Sequence, residues 1–195
     1  MIQSTPLEID LFFARPLKTE DGYTWTLASR LGSMLRVAQD RFGKRDTSYT
    51  VLGIEFGGDI PQIWYPGNCG DVIIQLTPAC ATDTIRACYQ LAHECIHLLS
   101  PSGGQNANNL EEGLATYFCH QYIWETFGID WPCTIPSYAE ARSAVEELLS
   151  KDPYIVRRLR DHQPAMHLTK PADIMAVTSD VQPELAVYLC EQFTR

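Results

Sequence analysis

No run of the 195-residue chain approaches the ~18 consecutive apolar positions that a membrane span needs. There is no N-x-Ser/Thr sequon, and Met1–Phe13 carries Glu8 and Asp10 with no basic segment ahead of an apolar core. That stretch does not read as a signal peptide. Positive charge is scarce, with 15 Lys and Arg against 24 Asp and Glu and a net charge of −9. That argues against a broad phosphate-binding surface, because affinity for nucleic acid comes mostly from Lys and Arg. The densest basic cluster, Arg157, Arg158 and Arg160, is one short run on a predicted helix and is expected to be a solvated face. The seven cysteines are odd in number, scattered and without a C-x-x-C pair. That is the usage of a reducing compartment, not of a disulfide framework. The expectation is a soluble, cytoplasmic protein with no nucleic-acid partner and no membrane partner.

What remains is the composition of an ordinary folded domain. Hydrophobic residues make up 45% and charged residues 20%, which is too apolar for a disordered chain. A globular chain of this length buries roughly 70% of its unfolded surface, so a core alone can hold it together. No internal repeat or low-complexity segment divides the sequence, and a single domain over residues 1–195 is expected.

The front third mixes element types. Leu7–Phe13 suits a short strand. Leu27, Leu31, Met34, Leu35 and Ala38 recur at helical spacing, predicting a helix over Thr26–Phe42 with Gly43 as its stop. Tyr49–Phe56 is β-rich and runs into Gly57-Gly58-Asp59. Ile63–Tyr65 and Asp71–Thr77 are further strand candidates, separated by the turn signal Pro66-Gly67-Asn68. From Pro78 onward nearly everything reads as helix. Thr82 or Asp83 can cap a helix running to about Leu99, stopped by Pro101 and Gly103-Gly104. A second runs from Asn109 to Phe127 and closes at Gly128. Ser137–Lys151 is a third, with Ser137 and Glu140 in capping-box positions. Pro153 opens a fourth to about His162, and Pro171–Val177 and Pro183–Phe193 are two more. The fold class that follows is α+β, a small N-terminal strand layer packed on a mainly helical C-terminal part.

One segment carries chemistry. His93-Glu94-Cys95-Ile96-His97 is an H-E-x-x-H motif inside the best-supported helix. Residues four apart share a helix face, so both imidazoles can reach one ion. Glu94 lies about 100° further around and flanks that ion, where it can accept a proton from a water the ion has acidified. Ile85, Cys88, Ala92, Cys95 and Leu99 form the apolar stripe expected to bury, while Arg86, Gln90, His93, His97 and Ser100 share another side. A catalytic zinc site needs a third protein ligand. After the break at Pro101–Gly104 the chain has room to reverse, and Glu111 or Glu112 at the start of the next helix can face the histidines. An acid in that first turn is also favoured by the helix dipole, the plain structural role for Glu111.

His93-Glu94-x-x-His97 followed by Glu112-Gly113-Leu114-Ala115 resembles the gluzincins, the thermolysin-like zinc metallopeptidases, and its Glu-Gly-x-Ala stretch is similar to the aminopeptidase-type branch. The resemblance spans about 60 residues, Asp71–Phe127. It implies a zincin-like fold, Zn2+ held by His93, His97 and Glu112, Glu94 as general base, and a peptide or protein substrate. It also implies that Asp71–Thr77 borders the cleft with a free edge able to pair with an extended substrate. The acid that thermolysin places four residues after the ligand glutamate is replaced by Thr116. The aminopeptidases' substrate-amine motif has no counterpart, which points to an endopeptidase-type hydrolase. The spacing Glu112-x-x-Ala115-x-x-Phe118 also resembles the regulatory metallopeptidases that cut phage and mobile-element repressors.

Such enzymes use a Tyr, His or Arg to stabilise the oxyanion, and Tyr117, His120, Tyr154, Arg157, His162 and His167 are all eligible. Cys95 and Cys119 are expected in the core, as are Trp124 and Trp131. Two other functions share the motif: a non-catalytic zinc-binding interaction or regulatory module, and a metal-dependent hydrolase of a non-peptide amide.

Overall fold

A computed structural model describes residues 9–18, 21–67, 70–104 and 107–195. The element order is α1 (Leu27–Phe42), β1 (Thr50–Phe56), β2 (Gln62–Trp64), β3 (Asp71–Leu76), α2 (Thr84–His97), α3 (Asn109–Phe127), α4 (Pro136–Lys151), α5 (Ile155–His162), α6 (Pro171–Val177) and α7 (Pro183–Cys190). This is a mixed α+β chain, mostly helical. No helix among the described residues is long and apolar enough to cross a membrane.

The sheet has three strands in the order β1-β3-β2, with β3 parallel to β1 and antiparallel to β2. Alternation sorts its two faces. Ile54, Ile74 and Ile63 stand in one row across the strands, and Val72, Ile74 and Leu76 are fully buried against the helices. On the other face Gln62 donates to Gln75 (2.8 Å) and Gln75 to Glu55 (2.6 Å), a polar ladder across the sheet. The Asp71–Thr77 candidate is therefore the central strand, β3, which ends at Leu76. The edge expected on it is occupied by β2, and β2 itself forms that side's border.

α2 lies between the sheet, α1 and α3. Ala87, Cys88, Leu91, Ala92, Cys95 and Ile96 are fully buried on it. Its apolar surface is wider than the predicted stripe because it has neighbours on several sides. Asp83 caps its start, the side chain accepting from the Arg86 N–H. Its end is His97, two residues short of expectation, where Leu99 and Ser100 donate to Ile96 and His97 in a tighter turn.

Other boundaries differ for local reasons. The described part of the Leu7–Phe13 strand candidate forms one bridge, Ile9 with Trp25, and residues 7 and 8 lie outside the described residues. Asn68 of the expected turn lies outside them too, while Gly67 takes φ +64°. Pro136 takes the first position of α4, so Ser137 falls inside the helix and its buried hydroxyl caps nothing. Asp152 accepts from Tyr154 N–H in a turn that holds Pro153 ahead of α5. α7 stops at Cys190 because the chain then runs extended beside residues 107–109.

Arg157 and Arg158 are exposed, as a solvated face requires, but Arg160 is not. It is 6% exposed, and its guanidinium donates to the carbonyls of Phe42, Gly43, Lys44, Leu99 and Pro164 at 2.8–3.3 Å. One buried cation thus ties the end of α1 to the turn after α2. Arg157 donates to the Asp40 carbonyl, and Arg158 pairs with Asp152.

Candidate metal centre

One turn apart on α2, the rings of His93 and His97 lie 5.1 Å from each other, centroid to centroid. Glu94 turns inward and is 3% exposed. The donor atoms of these three residues all lie within 4.8 Å of one another, close enough to hold one metal ion. The chain then reverses, and Asn108 starts α3. Its side chain accepts from the Glu111 N–H (3.0 Å) and donates to the Met166 carbonyl (2.7 Å). Asn109 donates to the Tyr188 carbonyl at 2.8 Å. The first turn of α3 is thus fixed from outside, and it sets two adjacent carboxylates against the histidines.

The two carboxylates take different positions. Glu112 approaches both rings from the Nε2 side, with Oε2 3.2 Å from His93 Nε2 and Oε1 3.7 Å from His97 Nε2. Glu111 approaches His97 from the opposite nitrogen, 2.7 Å from Nδ1. Glu112 Oε2 is buried and has no hydrogen-bond partner among the described residues. A largely buried carboxylate whose two oxygens each face a ring nitrogen, one of them without a donor in hydrogen-bond geometry, is an environment that a divalent cation satisfies. Two imidazoles and a carboxylate also suit zinc chemically.

Charge is strongly coupled here. Burial alone would lower His97, but Glu112, Glu111 and Glu94 outweigh it and raise it to about 10. Burial works against ionising Glu112, yet His97 and His93 hold it down to about 2. Burial pushes the Glu94 carboxyl above its usual range despite both histidines.

These groups form the floor of a cleft of about 450 Å3. One wall is the β2 edge, from Ile60 to Tyr65. The other contains Trp131, Ile135 and Tyr138, with Arg195 beside them. Tyr138 sets its ring 5.8 Å from that of His93 and 4.7 Å from Phe193, and the Arg195 guanidinium lies 5.9 Å over it. Burial pushes the Tyr138 hydroxyl up to about 12, so it stays protonated as a donor.

None of the six oxyanion candidates lines this cleft. Tyr117 bonds Arg41, His120 bonds Tyr89, and Tyr154 is exposed. Arg157 and His162 lie on α5, and His167 lies in the short turn at Met166–Leu168. Cys95 and Cys119 are in the core as expected, but Trp124 is 61% exposed. Trp131 stacks on Tyr89 (5.2 Å, 24°) in the cleft wall.

The cleft residues that sequence reasoning missed are Tyr89, Trp131, Tyr138 and Arg195. Tyr89 carried a usable signal, because it lies four residues before His93 on the same helix face. Tyr138 and Arg195 reach the site only through the packing of α4 and the last residues, which no local spacing encodes. No protein-family model matches the chain, and comparisons with curated proteins and with solved structures gave no match.

Proposed function

We propose that this protein is a zinc-dependent metallopeptidase with a zincin-like arrangement of its sheet and its two site helices. The observation that carries this reading is the convergence of both Nε2 atoms of an H-E-x-x-H helix on one carboxylate of the next helix. His93, His97 and Glu112 would hold the ion. A zinc ion bound there supplies Lewis acidity toward a carbonyl oxygen and lowers the pKa of water to about 7.

The chain's own residues do the rest. Glu94 sits beside both histidines, and its burial raises its hold on a proton. That suits a group which takes a proton from the attacking water and passes it to the leaving amine. Among the donors that line the cleft, the Tyr138 hydroxyl and the Arg195 guanidinium suit an oxygen that gains negative charge. β2 offers an extended substrate a strand to pair with, which favours a peptide over a small amide. The stacked Tyr89–Trp131 pair gives a neighbouring apolar side chain a surface.

The test is metal content in wild type, His97→Ala and Glu112→Ala, followed by peptide-library hydrolysis by wild type and Glu94→Gln. About one zinc per chain, lost in both ligand variants, is expected. Glu94→Gln should keep its zinc and lose at least ~100-fold in hydrolysis. A wild type that takes up no metal on reconstitution overturns the metal centre. A folded, zinc-loaded wild type that cleaves no peptide overturns the peptidase, and a fast Glu94→Gln overturns the role of Glu94.

A further inference from the structure

Resting on the reading of this site as a metal centre, we propose that Glu111 is a positioning residue. It dictates which nitrogen of His97 is left free for the ion, replacing the acid that the thermolysin pattern puts four residues after the ligand glutamate.

The fourth residue after Glu112 is Thr116, and it is not available for this work. Its hydroxyl donates back to the Glu112 carbonyl at 2.8 Å, a bond internal to α3. Glu111 is better placed than a surface acid of a first helical turn would be. It is 2% exposed, its N–H is held by Asn108, and its Oε1 is 2.7 Å from His97 Nδ1. Glu111 therefore meets the far nitrogen of the ring whose Nε2 faces Glu112.

A neutral imidazole carries one N–H, and the hydrogen bond it makes decides where that hydrogen sits. With Nδ1–H donating to Glu111, the Nε2 lone pair points at the position shared with His93 and Glu112. Without a carboxylate at Nδ1, either nitrogen can carry the hydrogen, and the ring's orientation is no longer held. Adjacent residues thus have complementary tasks: Glu112 faces the ion and Glu111 faces the back of its ligand. Such an outer partner typically contributes 10- to 100-fold in metal affinity.

The experiment compares wild type, Glu111→Ala and Glu111→Gln. Zinc affinity is measured by competition with a chromogenic chelator, and the visible spectrum of the Co2+-substituted proteins is recorded. The His97 Nδ1–H signal is followed by 15N NMR of the zinc-loaded forms. Glu111→Ala should bind zinc about 10- to 100-fold more weakly, with an altered Co2+ spectrum and no hydrogen-bonded Nδ1–H signal. Glu111→Gln keeps an acceptor of the same size and should fall between the two, which maintains the test if the alanine variant does not fold. Wild-type zinc affinity and an unchanged Co2+ spectrum in a folded Glu111 variant overturn this inference while leaving the metal centre intact. Failure of the wild type itself to bind metal overturns the metal centre instead.

Discussion

Gly113 of α3 and Ala141 of α4 meet backbone to backbone. A β-carbon at position 113 would run into the Ala141 carbonyl and come within 2.8 Å of the Val145 side chain. Close approach, not an unusual backbone angle, is what demands glycine here. Gly113 follows Glu112 directly, and Ala141 is one turn beyond Tyr138. The contact therefore sets how near Tyr138 stands to His93, and it gives the glycine of the Glu-Gly-x-Ala stretch a physical reason.

Gly113→Ala should destabilise the protein even though alanine is the better helix former by roughly 1 kcal/mol. The atom in the way is backbone and cannot swing aside, so the cost of overpacking, about 1–3 kcal/mol or more, dominates. Urea unfolding of the metal-free protein measures it. A variant as stable as wild type would mean that the two helices lie further apart.

Arg160→Met should lower stability by several kcal/mol, on the order of 3–5, because it strips the donor from five carbonyls at once. Arg160→Lys keeps the charge but has fewer, differently aimed donors and should recover only part of the loss. Thermal unfolding of the three proteins side by side checks the order.

His120 is buried, and burial with the nearby Arg142 lowers it from 6.5 to about 4. The unfolded chain takes up this proton near pH 6.5, the folded one only near 4. Between those values the unfolded state binds more protons, so stability falls as pH drops from 6.5 to 4 and is fully kept above 6.5. At about 1.4 kcal/mol per pKa unit the loss is about 3.5 kcal/mol at most. Denaturant titrations at pH 7, 5.5 and 4 should show a shallower decline in His120→Gln than in wild type. Parallel declines would place His120 in a more solvated setting.

Several helix ends were legible from a local signal, though the Ser137 cap expected at α4 was not one of them. Asp83 at α2, Gly128 after α3 and Pro171 at α6 all mark boundaries that hold. Boundaries set by a tertiary partner were not legible, as at the end of α7, where the chain is drawn into pairing with residues 107–109. The two-histidine face of α2 followed from spacing alone, and the reversal that brings Glu112 to it followed from Pro101 and the two glycines. The task of Glu111 did not, because adjacent residues on a helix differ only in azimuth until the neighbouring helix fixes which one meets which nitrogen. Arg160 was misread for a related reason. A run of three arginines suggests solvent, but five convergent carbonyls can bury one of them.

The turn that presents Glu111 and Glu112 is not self-supporting. Asn108 is bonded to Met166, Asn109 to Tyr188 and to the Glu191 carbonyl, and Phe193 N–H to Ala107. The motif is consequently not portable. A fragment ending after α5 would contain His93, Glu94, His97 and Glu112 and yet lack the frame that aims them. The smallest autonomous unit of this site extends at least to residue 193, and grafting residues 93–112 onto another scaffold would transfer the letters without the geometry.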